Sequence, residues 1–144
     1  ISEVWQIMLP RKRKLWPITA LNLAYSIAKD RSEDPYVQVG AVAKKHDNSL
    51  IVGYNGAPSG VEIDWSDRDQ RRIKVVHAEE NVLNYCQPGE VEFLACTHIP
   101  CPSCLKTLAI KKVPRVFFRE FLENYQAETS FEIAKLFKIT LLKI

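Results

Sequence analysis

Apolar residues recur at helical spacing over 16–29, at Trp16, Leu21, Leu23, Ala24, Ile27 and Ala28, and the pattern stops at Asp30. That spacing predicts a helix with one buried face. Residues 37–45 and 49–54 are short apolar runs joined by His46, Asp47 and Asn48, a turn composition, so they predict a hairpin. Residues 55–69 hold Gly56, Pro58, Gly60 and several aspartates, and predict a loop. Beyond the loop the pattern alternates. It predicts a helix over 77–86, a strand over 91–98, a helix over 101–112, a strand over 114–119, a mostly helical stretch over 121–137 and a last strand over 139–144. This order predicts an α/β fold: a three-layer α-β-α sandwich with a mixed sheet of about five strands and helices on both faces.

Composition narrows the class. The 144 residues suit one domain over 1–144. With 47% hydrophobic and 26% charged residues, the chain can build a core without disulfides. No apolar run approaches the ~20 residues that span a bilayer. The first residues lack the charged, then apolar, then small order of a secretory signal, so a cytoplasmic location without a membrane partner is expected. The formal charge of +3 is too small to demand a polyanion, and no nucleic-acid partner is expected. The basic runs at 11–14 and 68–74 read as solvated faces or as local attraction for phosphate.

The chemistry concentrates in two short segments. One is Val76-His77-Ala78-Glu79-Glu80; the other is Pro100-Cys101-Pro102-Ser103-Cys104. His-x-Glu followed by Pro-Cys-x-x-Cys is the signature of zinc deaminases. One imidazole and two thiolates, from His77, Cys101 and Cys104, suffice to hold Zn²⁺ tetrahedrally with a fourth position left for water. Glu79, two residues past the histidine, can reach that water without binding the metal and serve as the acid-base group. Both segments open predicted helices, whose N-termini favour thiolates. A redox Cys-x-x-Cys pair would not need His77 or Glu79. A structural zinc would need a fourth ligand, for which Cys86 and Cys96 are candidates, yet both sit in apolar elements and read as core filling. His98 follows the strand alternation, as a lining or packing residue or a substrate contact, and His46 reads as surface.

With these residues placed, the sequence resembles the deoxycytidylate (dCMP) deaminases of the cytidine deaminase superfamily, over about residues 15–119. Four blocks carry the likeness: RSEDP (31–35) leading into QVGAV (38–42), GYNGAPSG (53–60), VHAE (76–79) and PCPSC (100–104). The second of these points to the nucleotide enzymes. The resemblance implies a cytidine-deaminase-like sandwich and the hydrolytic deamination of dCMP to dUMP. It also implies that Asn55 bonds the deoxyribose hydroxyl within a loop that includes Ala57 and Pro58, and that the Ala78 N–H holds the base carbonyl. Backbone from Thr97 to Pro100 would accept from the exocyclic amine, Arg31 would grip the 5′-phosphate, and Tyr125 would be a second phosphate contact. Family members form closed homo-oligomers, commonly hexamers, activated by dCTP and inhibited by dTTP. An effector nucleotide, with Mg²⁺, would then lie beside Gly53, Tyr54 and Gly56. Many relatives carry a second zinc built from ligands ahead of the HAE motif. Residues 61–75 have neither Cys nor His, so one catalytic Zn²⁺ per chain is expected. The rival readings are a deaminase acting on a base in RNA or DNA and a free cytidine or deoxycytidine deaminase.

Overall fold

The computed structural model describes residues 10–122 and 127–144. The first helix, α1, spans Trp16–Arg31, with Pro17 in the opening turn, where a missing N–H costs nothing. Its buried stripe is Ala20, Leu21, Ala24 and Ala28. These small side chains let α1 lie close on the sheet. A Cβ on Gly40 would sit 2.0 Å from the Ala24 carbonyl oxygen, so glycine is what permits that contact.

Five strands form one sheet: β1 (Gly40–Lys45), β2 (Leu50–Tyr54), β3 (Val91–His98), β4 (Arg115–Glu120) and β5 (Thr140–Lys143). Their order is β2-β1-β3-β4-β5. β1 runs antiparallel to β2 and β3, whereas β3, β4 and β5 are mutually parallel. The predicted hairpin forms, and Asn48 takes its left-handed turn position at φ 69°. Strand alternation then builds two cores. Val42, Phe93 and Ala95 pack with α1 residues Ala20, Leu21 and Ala24. Ala41, Ala43, Leu94, Cys96 and Val116 face the other way. There they meet α3 (Ala78–Leu83), α4 (Pro102–Ile110) and α5 (Ala127–Leu136). The three-layer mixed sandwich is therefore present.

Three expectations need correction. The first strand starts at Gly40, not 37, because side chains take the backbone groups that would have extended it. Asp34 Oδ1 accepts from the Tyr36 and Val37 N–H groups at 2.7 and 3.3 Å. Asn55 Oδ1 accepts from Val39 N, and Asn55 Nδ2 donates to Val37 O, each at 3.0 Å. Second, the expected loop holds as far as Asp67, where a short helix, α2 (Arg68–Lys74), takes over its last two residues and buries none of its own. Its start is marked by Asp67, whose carboxylate accepts from the N–H groups of Asp69 and Gln70. No apolar periodicity announces such a helix. Third, Phe121 and Leu122 are irregular, and the last helix is confined to α5. Tyr125 lies outside the described residues.

Candidate active site

The motif residues converge at the N-terminal ends of two helices. His77 is the N-cap of α3 and Cys101 the N-cap of α4, both in extended backbone. Pro102 opens α4, so Cys101 and Cys104 lie on one face of its first turn. His77 Nδ1 is 3.2 Å from Cys104 Sγ and 3.4 Å from Cys101 Sγ, across 27 and 24 residues of chain. All three ligand atoms lie within 4.8 Å of one another, and among the described residues this is the one such His/Cys/Asp/Glu group. A tetrahedral zinc with bonds of 2.0–2.3 Å needs ligand atoms about 3.3–3.8 Å apart. The observed distances and the soft N/S donor set both fit that ion.

Electrostatics in the cluster follow its hydrogen bonds. Bonds from Cys104, His77 and Ser103 hold the Cys101 thiol down at about 3, so it is a thiolate. Cys104 keeps the proton it donates, which pushes its thiol well above the ordinary range. The bond to Cys101 raises His77 to about 9. Glu79, in the first turn of α3, is buried and accepts from Cys104 Sγ at 3.2 Å. Burial pushes its carboxyl up, against the pull of Cys104 and His77. A carboxyl raised this way is suited to carry a proton back and forth.

A cavity opens beside this cluster. It is lined by His77, Ala78, Glu79 and Cys101, by Asn55 and Asp34, by His98 and Ile99, and by the apolar Val37, Val39, Val75 and Leu122. Asn55 is nearly buried, and its side chain is tied to Ser32, Val37 and Val39. It therefore shapes the loop as well as lining the pocket, with one amide N–H left over. Ala57, Pro58, Thr97 and Pro100 stand outside the lining. The Pro100 carbonyl accepts from Ser130 Oγ at 2.8 Å. Arg31 is exposed at the end of α1, its guanidinium 5.9 Å from the Tyr54 ring centre, next to Ser32. A Cβ on Gly53 would meet Val82 Cγ2 at 2.7 Å, so this glycine admits α3 against the sheet. The Gly56 N–H is bonded to Val76 O at 3.2 Å, which joins the Asn55 loop to the HAE segment. Cys86 and Cys96 are buried in the core. Sequence reasoning gave no role to Asp34, Val37, Val39 or Leu122. Asp34 lay within the RSEDP block, and Leu122 had no signal.

The model of the cytidine and deoxycytidylate deaminase zinc-binding region matches residues 15–120. The chain belongs to the cytidine and deoxycytidylate deaminase family. A deaminase of the luxG 3′ region of Aliivibrio fischeri is 39% identical over 98 residues, covering 65% of this chain and 66% of its own. A probable deoxycytidylate deaminase of Caenorhabditis elegans is 37% identical over 114 residues, covering 73% of this chain and 56% of its own. The matches thus span between about half and two thirds of those relatives. Among solved structures, the dCMP deaminase of cyanophage S-TIM5 in complex with dCMP and dUMP superposes with a TM-score of 0.73. It is 24% identical, over 93% of this chain and all of that one, and shares the fold. The zinc-binding region of the family coincides with the His77, Cys101 and Cys104 cluster. Among the described residues no helix is long and apolar enough to cross a membrane.

Proposed function

We propose that this chain hydrolyses dCMP to dUMP and ammonia. The observation that carries the reading is the buried Glu79 carboxyl beside the His77, Cys101 and Cys104 cluster, at the floor of a cavity walled by Asn55. Relatives named deoxycytidylate deaminase, and the GYNGAPSG block, support the nucleotide over other cytosine compounds.

His77, Cys101 and Cys104 would hold one Zn²⁺ per chain, which supplies Lewis-acid activation of water. Glu79 takes a proton from the attacking water and delivers it to the ring nitrogen N3. It later passes a proton to the departing amine, so that dCMP and water leave as dUMP and ammonia. The Ala78 N–H orients the base carbonyl, and the Thr97 to Pro100 backbone receives the exocyclic amine. The remaining Asn55 N–H meets the sugar hydroxyl, with Ala57 and Pro58 shaping its loop. Val39 and Ile99 supply apolar wall that keeps bulk water from the ring. Arg31, on the Asn55 side of the pocket, grips the 5′-phosphate, and Tyr125 remains a candidate second contact. The assembly is a closed homo-oligomer, a hexamer, with dCTP (with Mg²⁺) and dTTP acting beside Gly53, Tyr54 and Gly56.

The test incubates the protein with dCMP, CMP, deoxycytidine and a cytosine-containing single strand, following loss of cytosine absorbance. Preference for dCMP over deoxycytidine by about tenfold or more, the size of one charge-assisted contact, is expected. Faster turnover of the single strand or of the free nucleoside would overturn the substrate assignment.

A further inference from the structure

His98 ends β3, three residues before Cys101, and its side chain lines the pocket while only 12% exposed. It is neither a metal ligand nor the acid-base group, yet one side of its ring is anchored. Its Nδ1 is 2.7 Å from Thr97 Oγ1. That hydroxyl already accepts from the Gly40 N–H at 3.1 Å, so its own proton is free to go to the imidazole. With Nδ1 accepting from that hydroxyl, a neutral ring carries its proton on Nε2. Burial lowers the basicity of His98 and keeps the ring neutral, against the opposing pull of Glu120.

The other side of the ring faces Glu120, at the end of β4. Nε2 lies 3.8 Å from Glu120 Oε2, beyond hydrogen-bond range. That carboxylate oxygen is engaged elsewhere, accepting from the Tyr25 hydroxyl of α1 at 2.6 Å. The Glu120 carbonyl meanwhile accepts from Ile99 N at 2.9 Å, fixing the segment between His98 and the zinc ligands. The ring is anchored at Nδ1, while its Nε2 has no hydrogen-bond partner among the described residues. No buried side-chain nitrogen or oxygen among the described residues lacks a partner, so Nε2 is open to solvent and free to meet a ligand.

We propose that His98 donates its Nε2–H to an acceptor oxygen of the bound nucleotide, and that Thr97 is the positioning residue that holds the ring for it. This rests on the nucleotide reading above. The acceptor is an oxygen of either the phosphate or the sugar. The contact makes His98 a specificity-determining residue.

The experiment compares wild type, His98→Leu and His98→Gln with dCMP and with deoxycytidine, after confirming equal zinc content. Glutamine places an N–H near the position of imidazole Nε2; leucine fills space and donates nothing. His98→Leu is expected to raise the KM for dCMP about threefold or more with little change in kcat, and His98→Gln to recover most of the loss. If the defect appears with dCMP and not with deoxycytidine, the acceptor is on the phosphate; if with both, it is on the sugar. A His98→Leu KM within threefold of wild type for both substrates overturns the proposal. Independently of turnover, ¹⁵N NMR of the imidazole is expected to show the Nε2–H tautomer, lost in Thr97→Val, and to shift on adding dUMP. An Nδ1–H tautomer in wild type overturns it as well. Wild type that turns over neither substrate overturns the substrate reading instead, and the NMR result then still decides the tautomer.

Discussion

At the residue scale, Glu79 combines burial with acid-base work, and the two pull against each other. Its carboxyl is raised above the ordinary 4.5 by desolvation, so native stability is fully present below that value. It is lost as pH rises through the folded-state value, because the native site holds the proton longer than the unfolded chain. In metal-free protein at neutral pH, Glu79→Gln is therefore expected to unfold at higher urea than wild type. The zinc-loaded variant is expected to keep its metal and lose ~10²–10⁴-fold or more in turnover. Parallel urea melts, metal analysis and dCMP assays read all three. The ligands carry a second pH dependence. Cys104 holds a proton and His77 is raised to about 9, and both must give up protons to bind the ion. Zinc uptake at pH 7 is expected to release roughly two protons and to weaken as pH falls, whereas Cys101→Ser and His77→Ala abolish it. Calorimetry in buffers of different ionisation enthalpy counts those protons. Arg31→Ala is expected to raise the KM for dCMP about tenfold and leave deoxycytidine untouched, since a phosphate contact serves ground and transition states alike. An equal effect on the nucleoside would remove Arg31 from the phosphate.

At the element scale, the site depends on how closely α3 approaches the sheet. Gly53 has no side chain where a Cβ would stand 2.7 Å from Val82 Cγ2 and 3.0 Å from the Ala78 carbonyl oxygen. Ala78 and Glu79 lie in the first turn of that helix. Gly53→Ala is expected to push α3 outward, costing about 1–3 kcal/mol and lowering kcat by moving Glu79 from the zinc ligands. Thermal melts and dCMP kinetics measure the two effects together. Normal kcat in a destabilised variant would show that α3 tolerates the shift. The Asn55 loop is the second such element. Asn55 fastens Ser32, Val37 and Val39 to the end of β2, and Gly56 fastens the same loop to Val76, one residue before His77. One short segment thus joins the pocket wall to the metal site.

At the scale of the whole molecule, α1 and α4 leave Leu23 and Ile110 exposed, at 39% and 70%. Apolar area of this kind on helix surfaces suits burial between identical subunits. Light scattering is expected to give the mass of a closed oligomer. The dCMP saturation curve is expected to shift left with dCTP–Mg²⁺ and right with dTTP, by the ~1–3 kcal/mol typical of allosteric coupling. A monomer with a hyperbolic curve unmoved by either nucleotide would end the oligomer and effector readings while leaving Glu79 chemistry intact.

By itself the sequence determined the parts whose logic is local. Cys101 and Cys104 stand one helical turn apart, and Glu79 stands two residues from His77; such spacings survive in any fold that keeps the helix starts. The apolar run over 91–98 was equally legible as a strand, and so was the apolar stripe of α1. Tertiary structure decided what depends on distant chain. It brought His77 within 3.4 Å of sulfurs 24 and 27 residues away. It started β1 only at Gly40, because Asp34 and Asn55 side chains take the backbone groups ahead of it. α2 stayed hidden because a polar helix capped by Asp67 has no periodicity to read. The reach from His98 through Glu120 to Tyr25 crosses 95 residues between the last two and joins three elements. No local pattern encodes it, since its geometry exists only once parallel β3 and β4 place His98 opposite Glu120 and α1 packs across them.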